Sequence, residues 1–267
     1  MLRDITIGQY YPVRSPIHGL DPRTKLAGTF IFLISLFVTK SLIGYLIATF
    51  ALIFLIRISR VPARYITKGL KPVLIILVIS VSFNIFLTPG RLLFAIGPLK
   101  VTAEGLKTAG FMAIRLIYLV IGSSLMTLTT TPTQLTDALE RSLGFLNKVH
   151  VPVHEIAMMM AIALRFIPIL IEETDKIMKA QMARGADFES GNLIRRAKAL
   201  VPILVPLFVS AFRRAADLAN AMEARCYHGG GGRTKMRPLK YGTSDKRAYA
   251  VMLVYFVIMI LTGFLKI

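Results

Sequence analysis

Acidic residues are scarce in this chain: 14 Asp and Glu stand against 33 Lys and Arg, for a net charge of +19. Such a surplus suits nucleic-acid binding when the basic residues form a domain of their own. Here they flank apolar segments instead, as in a membrane protein whose basic loops face the cytoplasm. The expected partner is therefore a lipid bilayer, not nucleic acid. Cysteine is scarcer still. The single Cys226 excludes an internal disulfide and any cysteine-cluster metal site. Four histidines remain, and His150 and His154 have i,i+4 spacing. Pro152 lies between them, which breaks the shared helix face that a ligand pair needs. They are expected to mark a turn and a helix start, so neither a metal nor a cofactor is expected.

The parts of an enzyme are missing as well. Gly229-Gly230-Gly231-Gly232-Arg233-Thr234-Lys235 is glycine-rich, yet it lacks the Gly-Lys-Thr/Ser end of a phosphate loop and follows no strand. It reads as a linker. There is no serine elbow, no zinc-protease histidine pair and no intramembrane acidic dyad. An intramembrane enzyme would need a convergent polar set within the spans, and Asn84, Arg115 and Thr127 do not make one. Arg115 is the clearest ionisable residue in a span; lying toward the outer end, it is expected to snorkel. Residues 1–24 are polar and basic, without the apolar core of a secretory leader.

Apolar sequence is what the chain has in abundance. Apolar types make up 55% of its 267 residues, and the mean hydropathy is +0.63. Several runs approach the roughly 20 residues needed to cross a bilayer. The block Leu26 to Ile56 is too long for one span and is interrupted only at Lys40-Ser41. It divides into spans near 26–39 and 41–56. Further spans are expected from Pro72 to Leu87, ended by Thr88-Pro89-Gly90, from about Leu106 to Thr129, and from Ala248 to Leu265. Basic residues are dense before the first span (Arg3, Arg14, Arg23, Lys25), between the second and third (Arg57, Arg60, Arg64, Lys68, Lys71), and through 130–246. The Lys40 turn, the loop with Arg91 and Lys100, and the end at Lys266 are poor by comparison. Counting positive loops puts the N-terminus and 130–246 in the cytoplasm and the C-terminus outside.

Segment 130–246 differs in kind. Thr131-Pro132-Thr133-Gln134 is a capping box with proline at the first helical position; its helix fades near Asn147. A second helix opens at Val151-Pro152 and runs to about Ala183. It is apolar at first (Ile156, Met159, Met160, Ala163, Leu164, Ile167), then carries Glu172–Lys176 and Asp175–Lys179 pairs suited to water. A third runs from about Asn192 to Ala224, with bends expected at Pro202 and Pro206. The apolar halves, Met159 and Ile203 among them, are expected to form a broad contact surface. The expected fold is an all-α integral membrane protein, with about five transmembrane helices and a cytoplasmic coupling region of three helices, two of them long. Its divisions are 1–129 (N-terminal segment and four spans), 130–228 (coupling helices), 229–247 (glycine-rich basic linker) and 248–267 (last span).

Both long helices end alike. One finishes Ala180-Gln181-Met182-Ala183-Arg184-Gly185 and the other Ala221-Met222-Glu223-Ala224-Arg225-Cys226. An arginine at a helix C-terminus suits the dipole, and glycine commonly follows it. That end effect does not require the same alanine before and small residue after. Small residues beside a planar, forked cation let a helix tip enter a groove while arginine meets acidic or carbonyl partners.

With Asp21-Pro22-Arg23-Thr24-Lys25-Leu26 ahead of the first span, and Tyr227, the glycine run and Arg233-Thr234 after the second tip, the chain resembles the transmembrane T component of energy-coupling factor transporters. The likeness covers essentially the whole chain in the same order. It implies a non-catalytic subunit of an ATP-driven importer of vitamins or metal ions in a bacterial-type cell membrane. It further implies two cytoplasmic ABC-type ATPases and a small substrate-capturing membrane subunit as partners. By the same resemblance, Ala183, Arg184 and Gly185 form one ATPase-coupling motif. Ala224, Arg225 and Cys226 form the other, with Cys226 where glycine is commoner. A T subunit dedicated to a cobalt, nickel or biotin system is the alternative within the class.

Overall fold

The structure, a computed structural model, describes residues 10–39, 41–96, 99–186, 188, 193–230, 236 and 238–264. Arg3, the Lys40 turn, the run from Gly231 to Lys235, and Lys266 lie outside the described residues. Two compact units divide the chain: Gly8–Ala138 with Leu239–Ile267, and Leu139–Pro238.

In the first unit the expected spans are helices, three of them begun by a capping side chain. Helix α1, Pro22–Val38, starts where the Asp21 carboxylate accepts the Arg23 N–H, with proline at the first helical position. Ser41 caps α2, Leu42–Ser59, through its hydroxyl. A short helix α3, Ala63–Lys68, precedes α4, Lys71–Leu87. Thr102 caps α5, Ala103–Thr129, by accepting the Gly105 N–H. The last helix of this unit, Thr243–Phe264, is α9 in chain order.

An antiparallel hairpin, β1 Leu92–Ile96 with β2 Leu99–Thr102, fills the loop between α4 and α5. Its apolar run of five residues is too short to stand out beside spans of seventeen or more.

Phe32, Leu36, Tyr45, Ala48, Leu52 and Met259 make the core where α1, α2 and α9 meet. Val61, Ile66, Leu125 and Leu128 form a second, smaller cluster, but many of the remaining apolar side chains point outward. α4 buries no side chain at all, and Phe50 of α2 is 75% exposed. In water such a surface would drive aggregation; lipid tails cover it at no comparable cost. At 17 residues, α1 and α4 rise only about 26 Å, so they suit a locally thinned bilayer.

Arg115 has a definite task. Its Nε donates to the Tyr45 hydroxyl at 3.0 Å, and a terminal nitrogen approaches the Thr39 carbonyl at 3.5 Å. Thr39 is the C-cap of α1, so the cation covers an orphan carbonyl at a helix end instead of reaching out to the interface.

The opposite end of α1 is a polar junction. Lys25 Nζ donates to the carbonyls of His18 and Thr129, tying α1 to the end of α5. Asp21 holds Arg23 by two hydrogen bonds, and the guanidinium lies 3.9 Å from the Tyr241 ring centroid. Asp245 of α9 is 4% exposed; one carboxylate oxygen accepts the Asp21 N–H and the other the Gly242 N–H, both at 2.8 Å. Replacing Asp245 with Ala strands both donors, at a cost on the order of 3 kcal/mol. Thermal unfolding of the purified protein should show the loss, with Asp245→Asn suffering less. An unchanged midpoint for the Ala variant would refute this role.

Helix α6, Pro132–Ser142, begins with the expected capping box. The Gln134 N–H donates to the Thr131 hydroxyl at 3.3 Å, and the Thr131 N–H donates to Gln134 Oε1 at 3.2 Å. Within the second unit a 3-10 turn, Gly144–Val149, leads to α7, Val153–Ala183, and α8, Leu193–Glu223. Five described helices are long and apolar enough to cross a membrane: Leu42–Ser59, Ala103–Thr129, Val153–Ala183, Lys198–Glu223 and Thr243–Gly263. Three of these, α2, α5 and α9, are expected spans. α1 and α4, at 17 residues, fall short of that length, while α7 and α8, expected outside the bilayer, reach it. Their charged C-terminal halves are what set them apart.

Candidate functional site

Helices α7 and α8 pack side by side and run in opposite directions. Two contacts fix this: Arg214 donates to Glu173 at 3.0 Å, and Gln181 Nε2 donates to the Pro202 carbonyl at 3.3 Å. The second follows from backbone chemistry. Pro206 has no N–H, so it cannot bond the carbonyl four residues earlier, which is that of Pro202. Gln181 supplies the missing donor from the neighbouring helix. α8 continues as one helix through both prolines.

The two expected tips share one geometry. At the end of α7, the Arg184 N–H bonds to the Gln181 carbonyl (3.0 Å) and Gly185 N–H to Met182 (3.0 Å), while Ala186 N–H reaches back to Gln181 (3.0 Å). At the end of α8, Arg225 N–H bonds to Met222 (3.1 Å), Cys226 N–H to Glu223 (2.9 Å), and Tyr227 N–H to Met222 (3.1 Å). Both are Schellman terminations, in which one residue takes a left-handed conformation and the chain turns back on the last carbonyls. That residue is Gly185 at φ +87° in one tip and Cys226 at φ +54° in the other. Cysteine in place of glycine leaves every one of these bonds intact.

Glycine would hold that conformation without the penalty of about 1 kcal/mol that a side chain incurs there. Cys226→Gly should therefore stabilise the protein slightly in thermal unfolding. A lower midpoint would mean that the thiol has a packing role.

Both tips are open. Ala183, Arg184, Gly185, Ala224, Arg225 and Cys226 are all exposed. Among the described residues neither arginine has a hydrogen-bond or ion-pair partner. Two closely similar helix ends thus present guanidinium groups without a partner among the described residues, each flanked by small residues. Because α7 and α8 are antiparallel, these ends are far apart. From Pro202, which lies level with Gln181, α8 continues for about 35 Å before reaching Arg225.

Apolar surface covers the same pair of helices. On α8, Val201, Leu204, Val205, Phe208 and Phe212 recur at helical spacing and are exposed, as are Ile156, Met159 and Met160 on α7. Ile203, expected to share this surface, is instead 4% exposed. The outward stripe runs through its neighbours at 201, 204 and 208. His150 ends the 3-10 turn at φ +61°, and His154 sits in the first turn of α7 with Nδ1 on Glu140 at 2.9 Å.

Comparison with known proteins gives a consistent result. The family model described as cobalt transport protein matches residues 13–236. A Clostridium kluyveri protein is 55% identical over 264 residues, covering 98% of each chain. Proteins of Thermosediminibacter oceani (54% identical; 93% of this chain, 94% of the relative) and Bacillus subtilis (48%; 95% and 96%) are similar along nearly their whole lengths. All three carry the name energy-coupling factor transporter transmembrane protein EcfT.

Proposed function

The chain belongs to the family of energy-coupling factor transporter transmembrane proteins, and from that membership we propose how its two helix ends are used. It is the transmembrane T component of such a transporter. In our reading, each tip enters a groove on one of two cytoplasmic ABC-type ATPases, with Arg184 anchoring the first and Arg225 the second. ATP binding and hydrolysis in those partners shift the grooves and drag the tips. The apolar faces of α7 and α8 pass the motion to a small membrane subunit that captures a vitamin or metal ion.

One observation carries this reading: the two helix ends have the same hydrogen bonds, the same alanine and arginine, and no partner for either guanidinium among the described residues. A helix end that merely answered to its own dipole would not need to be repeated so closely. Their separation along an antiparallel pair suits two partner subunits better than one.

Affinity purification from the native membrane tests the assembly. Two ATPase chains and a small apolar protein should accompany this chain. Several different small proteins would mark a shared module, and one alone a dedicated system. Recovery of the chain by itself would contradict the proposal.

The same reading fixes sidedness: N-terminus and tips inside, C-terminus outside. Membrane-impermeant thiol reagents should reach Cys226 only from the cytoplasmic face, and a cysteine substituted for Ile267 only from the outer face. Labelling of both from one side would rule out this arrangement.

A further inference from the structure

The glycine run after the second tip is shorter as a linker than its sequence suggests, because its second residue is packed. The Gly230 backbone lies against the His154 imidazole so closely that a β-carbon there would sit 2.7 Å from Cγ and 2.9 Å from Nε2. Contacts under 3.0 Å are intolerable unless one partner yields. The ring, 32% exposed, is tethered at one edge. Its Nδ1 is held by Glu140 of α6 at 2.9 Å, its Nε2 is buried, and the ring belongs to the first turn of α7. Gly229, at φ +93°, makes the turn that brings Gly230 to this place.

We propose that Glu140, His154 and Gly230 form a brace that positions the second tip, by anchoring the chain five residues beyond Arg225 to the corner between α6 and α7. The equivalent position after the first tip, Glu189, lies outside the described residues. The second tip is held on both sides, by α8 before it and by the brace after it. Movement imposed on Arg225 reaches α6 through His154 and Glu140 without passing down the length of α8. His154 and Gly230 are positioning residues, with no partner contact of their own. This inference rests on the tip reading above only for its functional consequence; the brace itself is a statement about geometry.

The tests are arranged to separate the two. Spin labels on Cys226 and on a cysteine replacing the exposed Arg141 of α6 report the distance from tip to corner in the full-length chain in lipid nanodiscs. The native background should give one narrow distribution. Gly230→Ala, which wedges the ring, and His154→Ala, which removes it, should each lose the narrow peak. Because both break one contact, the double variant should be no broader than the wider single. Gly144→Ala, where a methyl group meets nothing within 4 Å, should keep the native width. A native-width distribution for Gly230→Ala, or additive broadening in the double variant, would overturn the brace. For its consequence, Gly230→Ala is combined with each arginine variant. With Arg184→Ala, where the second tip is the sole anchor, it should release the ATPases; with Arg225→Ala it should change nothing further. Equal retention in both combinations would overturn the link between brace and tip.

Discussion

Replacing Arg184 and Arg225 together with Ala is expected to release the ATPases and abolish uptake, while either replacement alone leaves the complex assembled but impaired. Truncating a buried interface anchor commonly costs about 2 kcal/mol or more, roughly a thirtyfold loss of affinity at that tip. Two tips on one scaffold bind cooperatively, because holding one keeps the other close to its groove. Loss of both removes about 4 kcal/mol and that advantage as well. Lysine should rescue only in part, since it keeps the charge and loses the planar fork. If the arginines served only their helix dipoles, lysine would do as well and either loss would change little. A double-Ala protein that retains its ATPases and full uptake would end the assignment.

Aspartate at Met159 and Phe208 should detach the small substrate-capturing subunit and leave the ATPases bound. These side chains are 59% and 60% exposed, one on each helix of the pair. Burying a large apolar side chain against a partner is worth about 2 kcal/mol, and a carboxylate in its place adds a desolvation penalty on top. Phe208 lies about 25 Å along α8 from Arg225. Met159 stands nearer the second tip, five residues beyond His154, but the first tip lies about 37 Å along α7 from it and still holds the ATPases. Ile203→Asp is the informative contrast. That residue is buried, so a charge there should disorder the helix pair and lose both partners. Loss of both partners from the surface variants too would show that Met159 and Phe208 support the fold and not the interface.

Local chemistry made much of this molecule legible in its sequence. Helix starts at Asp21-Pro22, Ser41 and Thr131-Pro132 depend on residues within four positions of one another, and all three cap as their types require. The long helices and their matched ends were visible for the same reason: a Schellman turn involves six consecutive residues. What stayed hidden is long-range. Nothing near Arg115 points to Thr39 or Tyr45, 76 and 70 residues away. Gln181 gives no sign of Pro202 on its own; only the proline four residues later, at 206, marks a carbonyl in need of a donor. Ile203 is as apolar as its neighbours, and α8 is apolar over more than one face, so periodicity could not say which side turns inward. Gly230 looked like one more linker glycine until the fold set a histidine against it.

The coupling claim is most directly tested by a photo-activated crosslinker on Cys226, the chain's only cysteine, in the assembled transporter purified from its native membrane. The tip reading predicts an adduct with an ATPase chain, mapping to one groove and lost when Arg225 is replaced with Ala. Adducts confined to lipid, or to the small membrane subunit, would contradict it.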